Sequence, residues 1–320
     1  MPKHPVRFGI QTGQQNVTWP ELEEIWRKAE AWGYDSMWAY DHFYAIFTDP
    51  SGPCFEAWTT LAALAKDTNR VRIGHLVNGN TYRNPCMLAK MVTTVDHIAG
   101  GRTILGIGAG WFEPEHTSFG IPFRTVRDRL DALDESCRIV KALLAGETVT
   151  FESRHYSVKE AICRPLPVQK KIPIMIAGEG RNVLLRIVAR HADMWNAVGA
   201  PEKMGELGSI IARHCENERR DPSEIEKTVM LPLCYTTDED RQSMMAGLLG
   251  ATFNVDPAVA RRQMMIGSRD ECLEKIDAFA RAGVTHFIFM GMAPYPVDEL
   301  QAFAEDVMPA AREAHPGDRE

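Results

Sequence analysis

The feature that most constrains this chain is a regular alternation of short apolar runs with longer segments of helical periodicity. The runs are rich in β-branched and aromatic residues, as parallel strands joined by crossover helices are. The predicted strands begin at Val6, Ser36, Val71, Thr103, Pro173, Ala192, Val229 and Thr285. Eight strand and helix pairs without a Ser/Gly linker predict one α/β domain over residues 1–320, a closed (β/α)8 TIM barrel.

Two segments interrupt this rhythm. Residues 148–158 alternate in period two and contain polar turn formers, which predicts a small hairpin inserted between barrel units. Residues 236–268 contain several methionines and the pair Arg261-Arg262, and we expect an extra helix there that covers the barrel mouth. Neither segment is expected to form a domain of its own.

Charge and cysteine usage exclude several classes of function. The 36 basic and 43 acidic residues leave a formal charge of −7, so no basic surplus favours nucleic acid as a partner. Seven cysteines without a C-x-x-C pair indicate reduced thiols and a cytoplasmic protein. The sequence has neither a signal-peptide pattern nor a run of 18 apolar residues, so neither export nor a membrane span is expected.

The active site of such a barrel is expected where the carboxyl ends of the strands converge. Asp41-His42-Phe43 follows the second predicted strand. An aspartate and a histidine can orient a ring, shuttle a proton or polarise a carbonyl group. Taken alone the pair also suits a turn or a helix cap, so its position carries the prediction.

Glycines and amides follow the third and fourth strands. Asn78-Gly79-Asn80 can hold a ligand through backbone groups and amides, or form a simple Asn-Gly turn. Gly108-Ala109-Gly110-Trp111 lets a flat ring approach the backbone beside an indole wall. A tight turn with a packed tryptophan is the alternative for this block.

The fifth strand ends in Ala177-Gly178-Glu179-Gly180-Arg181, which opens a helix. Free N–H groups and the helix dipole at such a place favour a phosphate. Glu179 would repel a phosphate unless its side chain turns away, so the loop geometry matters more than the glycines.

The sequence contains no motif typical of metal catalysis or of serine hydrolases. The ten histidines form neither an H-x-H nor an H-E-x-x-H pattern, which disfavours metal catalysis. The nucleophile elbow G-x-S-x-G of serine hydrolases is also missing from the sequence.

Several ordered blocks together point to a known family. RFGIQT, AEAWGYDSMWAYDHF, RIGHLVNGNTYRNPC and IMIAGEGRNVLLRIVARHADMWN resemble the bacterial luciferase-like monooxygenases, particularly the branch that uses the deazaflavin coenzyme F420. This resemblance covers roughly residues 6–200. It implies a TIM barrel that holds a flavin or deazaflavin, with the ring in the mouth and the phosphate near the loop after strand five.

The resemblance also assigns roles to individual residues. Asp41 and His42 are expected beside the deazaflavin, and His42 is the leading catalytic candidate, as proton donor or polariser. A non-prolyl cis peptide is expected between Leu76 and Val77. The remaining cofactor contacts are expected from Leu76, Val77 and Asn78 at the ring, Gly108, Ala109 and Gly110 at its edge, and Ala177, Gly178, Glu179 and Gly180 at the phosphate. Trp111, Phe43 and Tyr82 are expected to line an aromatic substrate pocket.

One departure from the family bears on the substrate. Some sugar-phosphate dehydrogenases of the family that this chain resembles have a glutamate at the position of Trp111. The tryptophan here argues against a glucose 6-phosphate reaction that relies on that acid. Glu113 and Glu115 lie nearby, and the sequence does not show whether either replaces it.

The sequence therefore predicts an F420-dependent oxidoreductase that transfers a hydride between the deazaflavin and an unidentified small organic substrate. Two alternatives stay open. One is an FMN-dependent luciferase-like monooxygenase that uses reduced flavin and oxygen, and the other is a non-catalytic flavin-binding barrel. Because such relatives commonly form dimers, a homodimer is expected, with a face near residues 55–65 and 85–98.

Overall fold

Parallel strands pair around a closed ring. The structure, a computed structural model, describes residues 3–46 and 49–318. Its strands are β1 (Arg7–Thr12), β2 (Ser36–Ala39), β3 (Arg72–His75), β4 (Asn78–Gly79), β5 (Thr103–Gly108), β6 (Val149–Glu152), β7 (Ser157–Ala161), β8 (Ile174–Ala177), β9 (Met194–Ala197), β10 (Glu226–Tyr235), β11 (Met265–Gly267) and β12 (Val284–Gly291). The eight barrel strands follow the order β1-β2-β3-β5-β8-β9-β10-β12, and β12 pairs in parallel with β1 to close the ring. The predicted (β/α)8 barrel is confirmed.

Helices connect the strands along the outside of the barrel. They are α1 (Trp19–Ala31), α2 (Ala57–Asp67), α3 (Pro85–Ile98), α4 (Glu113–Ser118), α5 (Val126–Leu144), α6 (Leu184–His191), α7 (Pro201–Glu218), α8 (Glu239–Phe253), α9 (Pro257–Gln263), α10 (Arg269–Arg281), α11 (Val297–Asp306) and α12 (Met308–Ala314). Within the described ranges, no helix combines the length and the apolarity that crossing a bilayer requires.

Local chemistry explains where the first helix begins and ends. The backbone N–H of Thr18 donates to the Glu21 carboxylate (2.8 Å), which is one half of a capping box. Gly33, one residue beyond the C-cap, has a φ of +91°, a left-handed conformation that glycine adopts at low cost. Both boundary signals are visible in the sequence.

The barrel interior holds a small apolar layer below the mouth. It consists of the buried side chains Trp38, Leu76, Ile104, Met175, Met194 and Ile288, with Val77 and Met230 packed against it. This layer fills the barrel and gives the mouth a rigid floor.

The two interruptions differ in detail from their predictions. The hairpin extends to Ala161 rather than ending at residue 158, and its strands β6 and β7 pair in antiparallel fashion. The segment 236–268 contains two helices, α8 and α9, instead of one, and the short strand β11 then pairs with β10.

Some element boundaries shift by a few residues. The helix predicted from residue 55 begins at Ala57, because the Glu56 carboxylate caps it by accepting from the Thr59 N–H (2.8 Å). The helix that the loop after β8 opens begins at Leu184, after a turn. The strand predicted to begin at Val71 begins at Arg72, ends at His75 and resumes as β4 at Asn78.

Candidate active site

A cavity of about 380 Å³ opens at the carboxyl ends of the barrel strands, where the sequence predicts the site. Its lining comes from six of the eight barrel strands, the loops that follow them and the short strand β4. The lining residues are Asp41, His42, Leu76, Val77, Gly79, Tyr82, Gly108, Ala109, Gly110, Trp111, Ala177, Gly178, Glu179, Asn196, Ala197, Val198 and Met230. We call it the mouth cavity.

Of the residues that the family resemblance assigns to catalysis, the cofactor or the substrate, all but three line the mouth cavity. The side-chain amide of Asn78 is buried and donates to the Gly106 carbonyl (2.6 Å). Gly180 lies one residue past the lining of the loop after β8. The Phe43 ring packs on Tyr82 and Phe119, with ring centroids 4.8 and 4.6 Å apart.

A break between β3 and β4 forms one wall of the cavity. The Leu76–Val77 peptide is cis, as the family resemblance predicts. The Gln11 side chain donates to the Leu76 carbonyl (2.9 Å) and holds this wall from β1. Gly106 on β5 permits the close approach, because a Cβ there would lie 1.9 Å from the His75 carbonyl oxygen.

Asp41 presents one free acceptor beside the cavity. Its Oδ2 accepts from Arg83 (2.5 Å) and from the Gly79 N–H (3.1 Å), so the charge of this buried carboxylate is paired. Its Oδ1 is buried and has no hydrogen-bond partner among the residues that the structure describes. A ligand N–H would satisfy this atom, because buried polar atoms normally have a partner.

His42 is held by a residue that the sequence analysis leaves unassigned. The Nδ1 atom of His42 lies 2.8 Å from Glu115 Oε2, and the imidazole packs edge-on against the rings of Trp111 and Phe112. Glu115 is fully buried on α4, whereas its neighbour Glu113 is exposed. Only the direction of this short helix distinguishes the two glutamates, so the sequence carries no clear signal for Glu115.

The Glu115 carboxylate collects four donors. Besides His42, the Tyr82 hydroxyl donates to it (2.6 Å), as do the backbone N–H groups of Phe43 (2.5 Å) and Tyr44 (3.1 Å). Burial raises the pKa of Glu115, but the hydrogen bonds from His42 and Tyr82 outweigh it and hold the pKa below its ordinary value. Glu115 is therefore ionised.

The ionised Glu115 defines the protonation of its partners. Burial and the bond to Glu115 raise the pKa of Tyr82, so Tyr82 stays a neutral donor. A carboxylate can only accept, so the His42 Nδ1–H donates to it. In neutral His42 the lone pair is then on Nε2, which has no hydrogen-bond partner among the described residues and belongs to a side chain lining the mouth cavity.

In the loop after β8, the Glu179 carboxylate is bound by neighbouring groups of the protein. The Lys203 ammonium lies 2.6 Å from Glu179 Oε2, and the Val198 N–H donates to Oε1 (3.3 Å). The carboxylate is thus turned toward α7 and neutralised. Gly178 has a φ of +133°, and a Cβ there would lie 2.3 Å from the Leu184 side chain, so this tight turn requires glycine.

Four lining residues have no counterpart in the sequence-based prediction: Asn196, Ala197, Val198 and Met230. Asn196, Ala197 and Val198 follow the same rule as the predicted ones, since they stand at the carboxyl end of β9. Met230 lies within β10, where its sequence pattern is that of a core residue.

The fold and the cavity together define a TIM-barrel protein whose mouth contains a histidine held by a buried carboxylate. The model of the luciferase-like monooxygenase family matches residues 3–286. The chain therefore belongs to the luciferase-like monooxygenase family, and the predicted family is confirmed.

Known proteins resemble the chain over nearly its whole length. An F420-dependent glucose-6-phosphate dehydrogenase of Kineococcus radiotolerans is 28% identical over 96% of this chain and 98% of its own. The solved structure of an F420-dependent secondary alcohol dehydrogenase in complex with an F420-acetone adduct matches with a TM-score of 0.84 and 20% identity, covering 96% of this chain and 99% of that one. A monooxygenase of Streptomyces bottropensis matches with a TM-score of 0.78 and 22% identity, covering 95% and 99%. The structural matches share the fold.

Proposed function

We propose that this protein is an oxidoreductase that uses coenzyme F420 to exchange a hydride with a small organic substrate. The observation that carries the proposal is the pair of His42 and Glu115 at the mouth cavity, with Nδ1 engaged and Nε2 left for a substrate. The F420-dependent relatives support the choice of cofactor.

The residues of the mouth cavity fit a deazaflavin ring. Asp41 Oδ1 is an acceptor that needs a donor, and the pyrimidine part of a flavin or deazaflavin carries a ring N–H. Val77 stands on one wall, and Gly108 and Ala109 leave room for a flat edge. A volume of about 380 Å³ lies within the range of small-molecule sites.

The chain itself handles the proton of the reaction. A bound deazaflavin would supply the hydride acceptor for oxidation of the substrate and the hydride donor for the reverse reaction. For an alcohol substrate, the carbon–hydrogen bond breaks with its electron pair, and the hydroxyl proton moves to His42 Nε2 as the carbonyl forms. Glu115 fixes the imidazole ring and stabilises the imidazolium that results. In the reverse direction His42 returns this proton to the carbonyl oxygen.

A binding experiment tests the cofactor. Fluorescence titration of the purified protein with oxidised F420 and, in parallel, FMN is expected to give saturable binding of F420 and little of FMN. Oxygen consumption is then measured with each reduced form, and none beyond the protein-free rate is expected. A preference for FMN together with oxygen uptake would establish a flavin monooxygenase instead.

His42→Ala tests the assigned role of the histidine. Loss of a general acid or base lowers turnover by about 100-fold or more, whereas the affinity for F420 should stay within about threefold. His97→Ala is the matched control, because His97 lies exposed on α3, away from the mouth cavity. Equal losses in turnover and affinity would make His42 a binding residue, and full turnover would favour a non-catalytic role.

A further inference from the structure

A second cavity of about 310 Å³ adjoins the mouth cavity and shares Glu179, Val198 and Met230 with it. Further wall residues are Leu231, Pro232, Phe253, Val255, Gln263 and Met264. These come from β10 and from the segment 236–268, so the helices after β10 build a compartment beside the site of the chemistry. We call it the side cavity.

The walls of the side cavity are mainly apolar, and some stay open to solvent. Val198 is 41% exposed and Phe253 is 37% exposed. Single exposed apolar side chains are ordinary on a protein surface, but these two line one concave space next to a reaction site. A ligand with an apolar part would remove this surface from water and bind more tightly for doing so.

The described side chains that line the two cavities provide no unpaired cation for an anionic substrate. Among the described residues, Lys203 is the single lysine or arginine that lines either cavity. Its ammonium is paired with Glu179 (2.6 Å) and donates to the Val198 carbonyl (2.9 Å). Arg262 lies in a neighbouring surface groove and lines neither cavity.

A phosphate monoester would be poorly held in such a place. Buried phosphates rely on charge-assisted hydrogen bonds from lysine or arginine, and an unpaired buried charge carries a large desolvation cost. Besides the paired Lys203, the ionisable side chains lining the two cavities are Asp41, His42, Glu179 and Tyr82. The Asp41 and Glu179 carboxylates are paired with Arg83 and Lys203, so no unpaired cation among the described residues of either cavity is left to hold the phosphate.

We propose that the side cavity binds an uncharged, apolar arm of the substrate, so that the hydride partner is a neutral alcohol, or the ketone formed from it, bearing an alkyl or aryl group. This inference rests on the proposed function, because it places the reacting carbon in the mouth cavity beside His42. It separates this chain from the glucose-6-phosphate dehydrogenases that it resembles in sequence.

A binding series tests the side cavity directly. Calorimetric titration of the protein, with and without oxidised F420, uses methyl ketones that begin with acetone and grow by one methylene at a time. Oxidised F420 cannot reduce a ketone, so the titration measures binding alone. Affinity should rise about fourfold per methylene until the arm fills the cavity. Glucose 6-phosphate should not bind in the same concentration range.

Two variants on one helix locate the effect. Phe253→Ala removes a wall of the side cavity and should weaken the longest ketone by about tenfold while leaving acetone unchanged. Leu248→Ala is the matched control, because Leu248 lies on α8, is 60% exposed and lines neither cavity. Neither residue belongs to the reacting groups.

The outcomes separate this inference from the proposed function. If F420 binds but ketone affinity is independent of chain length, if Phe253→Ala behaves like Leu248→Ala, or if glucose 6-phosphate binds more tightly than the ketones, the apolar-arm proposal is wrong. If F420 does not bind while the ketone series keeps its slope and the Phe253 effect, the cofactor assignment fails and the side cavity stands.

Discussion

At the scale of single residues, the site depends on the Glu115 carboxylate. It joins the His42 ring, the Tyr82 hydroxyl and the backbone of the loop after β2 at one buried point. Because every donor is directed at an ionised acceptor, the orientation and the tautomer of His42 follow from one side chain. In the proposed reaction, Glu115 is therefore a positioning residue for the proton transfer.

Glu115→Gln is expected to lower turnover by about 10- to 100-fold with little change in F420 affinity. The amide keeps the shape of the side chain but no longer stabilises an imidazolium at His42. For alcohol oxidation, the acid limb of the pH profile of turnover should also move to lower pH, since His42 then holds a proton less firmly. Steady-state kinetics across pH measures both effects.

Glu113→Gln serves as the control for this change, because Glu113 is an exposed neighbour on the same helix. Its turnover and pH profile should match those of the unchanged protein. An unshifted profile in Glu115→Gln, with turnover lost, would mean that Glu115 only supports the local structure.

At the scale of elements, Asp96 holds the segment that leads from the inserted hairpin back to the barrel. This buried carboxylate on α3 accepts from the N–H groups of Val168 (2.8 Å) and Gln169 (3.1 Å), and from the Gln169 side chain (2.7 Å). The Gln169 amide also donates to the Thr103 carbonyl at the start of β5 (2.8 Å). One aspartate thus replaces the regular hydrogen bonds that an irregular segment lacks.

Asp96→Ala is expected to lower the free energy of unfolding by about 3 kcal/mol, because it leaves several buried N–H groups without a partner. Urea denaturation measures the change, and turnover per folded molecule should stay the same. Asp131→Ala, at a partly exposed aspartate paired with Arg127 on α5, should cost less than about 0.5 kcal/mol. A cost below about 1 kcal/mol for Asp96→Ala would contradict the assigned role.

At the scale of the whole molecule, buried histidines make stability depend on pH. His75 packs on Trp58. The Nε2 atom of His286 lies 2.8 Å from the Ser36 hydroxyl, and this pair is at the end of the barrel opposite the mouth. Burial lowers the pKa of both below the ordinary 6.5, in spite of Asp41 near His75 and Glu226 near His286. Both rings are therefore neutral in the folded protein.

The melting temperature is expected to be nearly constant above about pH 7 and to fall as the pH drops below 6.5. In that window the unfolded chain binds protons that the folded chain does not, so acid favours unfolding, by up to about 1.4 kcal/mol per pH unit for each histidine. Calorimetry from pH 8 to pH 5 checks this. The pKa of Glu115 is lowered from its ordinary 4.5, so this carboxylate affects the stability mainly at a pH below this window.

His97→Ala should leave this pH dependence unchanged, since His97 is exposed on α3. A melting temperature that stays level down to pH 5 would show that the two buried rings do not titrate on unfolding. The predicted homodimer stays a prediction at this scale.

Sequence patterns are enough to predict the barrel and the end of the barrel that carries the candidate site. Strand and helix periodicities are local properties, and each parallel strand delivers the residues after it to the same rim, so Asp41, His42 and the glycines of β5 were expected there. The blocks that resemble the family also indicated the cis peptide at Leu76–Val77.

Which side chains meet at the candidate site depends on packing between distant parts of the chain. Glu115 lies 73 residues from His42 in the chain, and the choice between Glu113 and Glu115 depends on how α4 packs over the mouth. The turn of Glu179 toward Lys203 and the apolar wall that includes Phe253 are likewise contacts between distant loops. Periodicity fixes which face of an element is buried, whereas packing fixes the direction of side chains in irregular loops, and the chemistry of this site depends on those directions.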